Sequence, residues 1–279
     1  MSLPGREVRV SSWNELITEL HARNIVQPRP GEGNHLRSPY VFRGMDVASW
    51  DLLTSIQRLS RNASTRPQVI EKSLVRSFRK YANAGAFDDK SEWYVLAVAQ
   101  HNGLPTRCLD WAASPLVAAH FASADEKYGE EDGVILCLHA GILREVNAQN
   151  NARATDLRGI AWVYDTRLLE SNFNDLDDLD SSYPGGELML LWEPPSLDAR
   201  IANQAGLLTI MNDGLSSQNA FLHTHCVANP DLVVRIVIAA GMKSELRDML
   251  DQNNISERTL FPGLPGLCAW LKRYYGTAW

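Results

Sequence analysis

Five side chains that can donate or accept hydrogen bonds lie close together in the stretch QHNGLPTRCLD at residues 100–110. They are Gln100, His101, Thr106, Arg107 and Asp110. A loop that only connects elements rarely holds so many polar groups, because each must find a partner once it is buried. His101 can act as a general acid or base or donate to a phosphate, and Asp110 can orient it. We therefore predict that these two residues are catalytic and that the other three bind a ligand, with helix capping as the structural alternative for both catalytic candidates.

Arg43 is the next candidate, because it ends a short apolar stretch and precedes a glycine. Its guanidinium can form two parallel hydrogen bonds with a phosphate or a carboxylate. Gly44 would let a ligand approach the backbone closely. We predict that Arg43 binds the ligand and lies within ion-pair distance of Asp110. A purely structural pair between Arg43 and Asp110 is the alternative.

Three further side chains extend the predicted ligand-binding set. Trp111 can stack on a base or a nicotinamide ring, although tryptophan is more often a core residue. Gln204 can position a water or a ribose hydroxyl but cannot take a proton, and Arg200 can add a second phosphate contact. Stabilisation of a loop is the alternative for both. One pocket is expected to be lined by Arg43, His101, Asp110 and Gln204.

The spacing of apolar side chains indicates which elements position these residues. Helical spacing predicts helices over residues 11–25 and 67–84. It also predicts a third helix that ends before Gly103 and a fourth that begins at Pro115. Alternating or continuous apolar runs predict strands in these segments: SPYVFRG, VILCLHA, ELMLLWEPP, GLLTIMN and LVVRIVIAA. Two helices are predicted after the last strand.

This order of elements predicts one α+β domain over residues 1–279, with a central, mostly antiparallel sheet and helices clustered in the N-terminal half and at the C-terminus. Two segments carry weaker patterns. The acidic residues 175–180 are predicted to form a solvated loop, and the HTHC segment at 223–226 a strand-like turn. The His-x-His pair there has no matching second half, so no metal is expected.

Composition and charge limit the function classes. The formal net charge of -6 argues against a general nucleic-acid binder, which needs clustered Lys and Arg. No run of about 18 apolar residues occurs, and the first residues lack the apolar core of a signal peptide. The four cysteines are far apart and fit no metal-ligand spacing. We therefore expect a cytoplasmic protein that does not bind membranes.

Four segments resemble the FRG-domain family, named for a Phe-Arg-Gly motif, and they occur in the family's order. The most specific is AQHNGLPTRCLDWAASPLVAAHFA at 99–122, similar to the family's Gln-His-x-Gly-Leu-Pro-Thr-Arg-x-Leu-Asp-Trp element. The others are YVFRG at 40–44, RIANQAGLLTI at 200–210 and TLFPGLPGL at 259–267. The third segment departs from the family pattern, because Leu207 stands where an aromatic residue is usual.

A more distant likeness is to NAD-dependent ADP-ribosyltransferases. Arg43-Gly44 resembles their first motif, whose arginine supports the NAD phosphates or ribose, and LDWAASPLVAAHFA is similar in outline to their second. Their third motif supplies a glutamate, but no Glu-x-Glu occurs here. The nearest polar candidates are Gln204, Glu193 and Glu187.

This likeness implies NAD as a substrate and an ADP-ribosyltransferase-like or NAD-glycohydrolase-like activity, in a bacterial toxin or defence effector. ADP-ribose would pass to a macromolecular acceptor or to water. Two alternatives stay open: a non-catalytic module that recognises a nucleotide or a partner protein, and a nuclease-like toxin that uses His101 with the arginines.

Overall fold

The computed structural model describes residues 3–29, 33–82, 85–150, 163–195 and 199–276. Its strands are β1 (Arg6–Val10), β2 (Ile25–Arg29), β3 (Gly33–Arg37), β4 (Tyr40–Met45), β5 (Leu109–Ala112), β6 (Gly133–His139), β7 (Tyr164–Asp165), β8 (Met189–Glu193), β9 (Gly206–Met211) and β10 (Val233–Ile238). Its α-helices are α1 (Trp13–His21), α2 (Ser55–Ser60), α3 (Pro67–Tyr81), α4 (Glu92–His101), α5 (Pro115–Phe121), α6 (Ala140–Asn150), α7 (Thr166–Asn172), α8 (Leu176–Ser181), α9 (Ala199–Gln204), α10 (Gln218–Cys226), α11 (Lys243–Gln252), α12 (Glu257–Leu260) and α13 (Leu264–Tyr275).

Eight strands form one sheet in the order β1-β10-β6-β4-β5-β9-β8-β7, and β2 pairs with β3 separately. The inner pairs are antiparallel, whereas β1 with β10 and β7 with β8 are parallel. The predicted α+β class with a mostly antiparallel sheet is confirmed. β6 lies inside the sheet, and its residues 133–138 are all buried, as its continuous apolar run requires.

The two faces of the sheet are covered differently. On one face, β5 and β9 contribute Trp111 and Leu207 to a core that also includes Phe221 of α10. On the other face, helices form two separate apolar clusters. One contains Phe42 of β4 with residues of α1, α5 and α11, and the other contains Leu208 of β9 with residues of α4, α7 and α8. The candidate site lies between these two clusters.

Helix α5 packs unusually close to the sheet because two strand positions are glycines. A Cβ added at Gly44 would lie 1.8 Å from the main-chain oxygen of Ala118, and one added at Gly133 would lie 2.2 Å from that of Ala122. Neither distance is compatible with a side chain. Gly44 also lines the cleft, as expected of a glycine that a ligand approaches, but the contact between β4 and α5 by itself already requires a glycine there.

Several local predictions differ from the structure. Residues 175–180, predicted to be a loop, lie mostly in α8, which Asp175 caps and which buries Leu176 and Leu179. The HTHC segment lies in helix α10, which Ser217 caps, and not in a strand-like turn. The helix predicted over 11–25 ends at His21. Strand β5 lies between the helix predicted to end before Gly103 and the one predicted to begin at Pro115, where no strand was predicted. In each of these segments, helix caps and packing against distant residues determine the secondary structure.

Within the described residues, no helix is both long enough and apolar enough to span a membrane.

Candidate functional site

A cleft of about 290 Å³ opens on the sheet face between the two helical clusters. Its polar lining residues come from β4, α4, β5 and α9 and are Arg43, Gln100, His101, Asp110, Arg200 and Gln204. Its apolar wall includes Phe42, Val117, Phe121, Ile201 and Leu208. The structure thus brings together the four residues expected to share one pocket, although they are distant in sequence.

The cleft forms where β4 and β5 separate. The two strands are joined only at Phe42 and Ala112, so the next antiparallel positions, Gly44 and Asp110, are not paired. Arg43 reaches across this gap, and its Nη1 donates to the main-chain oxygen of Asp110 at 2.6 Å. The side chain of Arg43 therefore replaces strand pairing at this point of the sheet.

The expected ion pair between Arg43 and Asp110 is not formed within the described part of the chain, since the contact is to the main chain. Burial lowers the pKa of the Arg43 guanidinium below its ordinary value, while the nearby negative charge of Asp110 opposes that change. The Nε of Arg43 is buried and has no hydrogen-bond partner among the described residues. Arg43 is thus a cation whose hydrogen-bonding capacity is only partly used.

The Asp110 carboxylate is instead positioned by Gln100. The Gln100 amide nitrogen lies 3.1 Å from both Asp110 carboxylate oxygens, to which it donates. The orientation of this amide is fixed by Thr106, whose hydroxyl donates to Gln100 Oε1. The carboxylate itself is exposed at the cleft. Thr106, Gln100 and Asp110 form a chain that presents an oriented carboxylate to the cleft.

Thr106 therefore does not contact a ligand in the way predicted for it. It is fully buried and does not line the cleft. Its hydroxyl also accepts a hydrogen bond from the Cys108 amide at 3.1 Å, and its own amide donates to Ser55 Oγ at 2.9 Å. These bonds place Thr106 as a residue that acts on the site through Gln100.

Arg107 is the clearest departure from the predicted ligand-binding set. Its side chain is almost completely buried away from the cleft, and its Nε donates to Glu71 at 2.6 Å. Its main-chain amide donates to the same carboxylate at 2.6 Å, and its Nη1 pairs with Asp180. Burial acts against the charge, yet Glu71 and Asp180 raise the pKa of the guanidinium above its ordinary value. Arg107 therefore joins α3 and α8 to the 104–108 loop, a structural role.

Trp111 is a core residue, which was the alternative to its predicted role in ligand stacking. Trp111 is one of the residues that line the cleft, but its side chain is buried and belongs to the apolar core on the opposite face of the sheet. The indole N–H donates to Thr209 Oγ1 at 2.8 Å. Because strand residues alternate between faces, Trp111 and Asp110 point to opposite sides of β5. Stacking of Trp111 on a ligand ring is not indicated by this position.

Helix α9 supplies the two remaining predicted residues and is fixed from behind by α12. The Arg200 guanidinium lies 5.0 Å from the centre of the Phe261 ring, and Gln204 Nε2 donates to the Leu260 carbonyl at 3.0 Å. Asn203 adds a bond to the Thr259 carbonyl at 2.7 Å. The segment 259–267 thus positions α9, which explains how a segment outside the cleft contributes to it.

Of the remaining candidates for acid–base chemistry, only His101 lines the cleft among the described residues. His101 is the last residue of α4 and lines the cleft, half-buried. Glu193, at the end of β8, borders a neighbouring cavity and not the cleft. Glu187 precedes β8, is exposed and lines neither. The described residues include no group of three or more His, Cys, Asp or Glu side chains placed to hold a metal ion.

A buried ionic network behind the cleft was not predicted. His120 accepts from Arg247 through Nδ1 at 2.7 Å, and Glu257 accepts from Arg247 at 2.5 Å and from Arg273 at 2.9 Å. Burial, followed by the charge of Arg247, lowers the pKa of His120 to about 3. The sequence signal was a histidine inside the apolar stretch LVAAHFA, which can only be buried in its neutral form.

Comparison with known families gives one match. Residues 38–131 match the model described as the FRG domain, which covers the first two of the four sequence segments. No curated protein and no solved structure gives a significant match.

Proposed function

We propose that the protein binds NAD and cleaves its nicotinamide–ribose bond. The cleft is the site of this reaction, and the FRG domain over residues 38–131 contributes Arg43 and the 100–110 segment to it. ADP-ribose then passes to a macromolecular acceptor or to water. The FRG domain by itself does not imply this reaction. The side chains of the cleft support it.

The observation that carries the proposal is the state of Arg43. Arg43 is half-buried as a residue, but its Nε is inaccessible to water. A guanidinium shielded from water in this way costs free energy unless its charge and its N–H groups are matched. Among the described residues, Arg43 is bonded only to a main-chain oxygen, and its buried Nε has no partner. A phosphate oxygen supplies both a negative charge and an acceptor. A diphosphate has a second phosphate group that can bond Arg200, which also lines the cleft.

The chemistry would then fall to Asp110 and His101. When the bond between C1′ and the nicotinamide nitrogen breaks, its electron pair leaves with nicotinamide, and positive charge develops on the ribose. The oriented Asp110 carboxylate can stabilise this charge. An acceptor oxygen or nitrogen attacks C1′ and loses a proton, which His101 or Asp110 can take. Gln204 has no titratable group, so it can only position a hydroxyl or water.

The test is release of nicotinamide from NAD by the purified protein, followed by chromatography. We expect release that Asp110→Asn strongly reduces and that Arg43→Lys reduces through weaker NAD binding, because lysine lacks the planar fork. Arg61→Lys is the matched control, since Arg61 is an exposed residue at the end of α2 that does not line the cleft. NAD that neither binds nor is consumed would refute the proposal.

A recognition module is the second candidate. Both oxygens of Asp110 are within bonding distance of Gln100, and Gln204 is bonded to the Leu260 carbonyl. Such polar groups, already held in place, suit a rigid binding surface as well as a catalytic one. NAD binding that depends on Arg43 without any nicotinamide release would support this alternative, whereas cleavage of RNA would support the nuclease-like one.

A further inference from the structure

A second cavity of about 600 Å³ adjoins the cleft at one end of the sheet. It lies where β8 ends and β9 begins. Four residues line both spaces and so form the wall between them: Pro194, Ile201, Gly206 and Leu207. A ligand that outgrows the cleft would enter this cavity first.

The chemistry of the second cavity differs from that of the cleft. The cleft holds two arginines, but Glu193 alone carries a charge among the described residues that line the second cavity. Most of the others are small or apolar. The Glu193 side chain is exposed, and no described residue forms an ion pair with it. An apolar space with one unpaired carboxylate suits a flat or compact group with a positive charge.

Size favours a ligand that uses both spaces. Binding cavities for small molecules usually measure roughly 300–1,000 Å³. At about 290 Å³ the cleft is at the lower limit of this range, which suits a mononucleotide fragment but not a whole dinucleotide.

We infer that the ligand extends from the cleft past Gly206 into the second cavity, with its phosphates at Arg43 and a cationic ring near Glu193. This inference rests on the proposed function. Oxidised nicotinamide is such a cationic ring, so Glu193 would distinguish NAD from its reduced form, which carries the same phosphates on an uncharged ring. Glu193 thereby becomes a specificity-determining residue.

Gly206 presents no side chain at the wall that the two spaces share. A Cβ added there would meet only Ile201 atoms, at 3.9 Å, and the backbone is not in the left-handed region. Gly206 pairs with Ala112 in the sheet, so a strand-forming residue is compatible with its position. A valine at this position would extend into the shared wall without straining the backbone.

The experiment measures the affinities of NAD, NADH and ADP-ribose by calorimetry for the wild type, Glu193→Gln and Glu187→Gln. Glu187 is the matched control, because it is an exposed carboxylate that lies just before the same strand and lines neither space. We expect the wild type to bind NAD about three- to fivefold more tightly than NADH, the most that a partly exposed ion pair gives. Glu193→Gln should remove this preference and leave ADP-ribose affinity unchanged, and Glu187→Gln should alter neither.

The variant Gly206→Val tests independently whether the ligand extends past Gly206. We expect it to weaken binding of NAD and NADH at least about tenfold relative to ADP-ribose, because only the dinucleotides must pass the wall. Equal affinities for NAD and NADH in the wild type, or equal effects of Gly206→Val on all three ligands, would overturn the inference. In that case ADP-ribose binding that depends on Arg43 would leave the proposed binding site intact. Absence of binding by all three ligands would overturn both.

Discussion

The buried ion pair between Glu71 and Arg107 offers a direct test of how the sequence motif is used. Both side chains are almost inaccessible, and Glu71 receives two hydrogen bonds of 2.6 Å from Arg107. Glu71→Gln removes the negative charge but keeps the shape of the side chain. Within the described part of the chain, the guanidinium then keeps only Asp180 as a charged partner, and the side chain of Asp180 is 23% exposed.

Breaking a buried pair by removing one partner costs about 3–5 kcal/mol. We expect a loss of about 3 kcal/mol in the free energy of unfolding for Glu71→Gln, the lower end of this range, because Asp180 retains part of the compensation. Urea unfolding followed by tryptophan fluorescence measures this loss. Removal of Arg107 as well, in the double variant Glu71→Gln/Arg107→Met, should cost less than the sum of the two single changes.

The neighbouring pair between Lys72 and Asp177 is the control. It joins α3 directly to α8, the two helices that Arg107 links, but its side chains are 41% and 73% exposed. Lys72→Gln should therefore cost less than about 1 kcal/mol. If Glu71→Gln were no more destabilising than Lys72→Gln, or if it weakened NAD binding without loss of stability, the structural role assigned to Arg107 would be refuted.

Three further predictions concern the site and its support. His101→Ala and Asp110→Asn should each lower nicotinamide release at least about 100-fold, the lower end of a general acid–base contribution, and full activity in both would remove the mechanism. Thr106→Val should lower kcat about tenfold with little change in KM, because it frees the amide that orients Asp110; a selective rise in KM would contradict this positioning role. For His120, the pKa of about 3 in the fold lies below the usual 6.5. Below pH 6.5 the unfolded chain therefore gains a proton that the folded chain does not, so stability falls as the pH is lowered and levels off near pH 3. Between pH 6.5 and 5 the loss is about 2 kcal/mol, measured by urea unfolding at each pH, and His120→Gln should show a smaller decrease.

The sequence by itself determined the class of the fold and the identity of the polar residues that line the cleft. Apolar runs such as VILCLH specify buried strands, because only a sheet covered on both faces satisfies them. Local signals of this kind depend on neighbours along the chain. Arg43 could be singled out because it ends an apolar run, and His101 and Asp110 because they belong to a short segment crowded with polar side chains.

The tertiary structure alone decided which way each polar side chain points. Arg107 and Asp110 belong to one short motif, yet Arg107 turns inward to Glu71 while Asp110 faces the cleft. The partner of Arg107 lies 36 positions away in the sequence, and no pattern within the motif identifies it. Gly44 was assigned to a ligand alone for the same reason, because the close approach of α5 is not visible in β4. Direction depends on contacts between distant segments, and these exist only after the chain has folded.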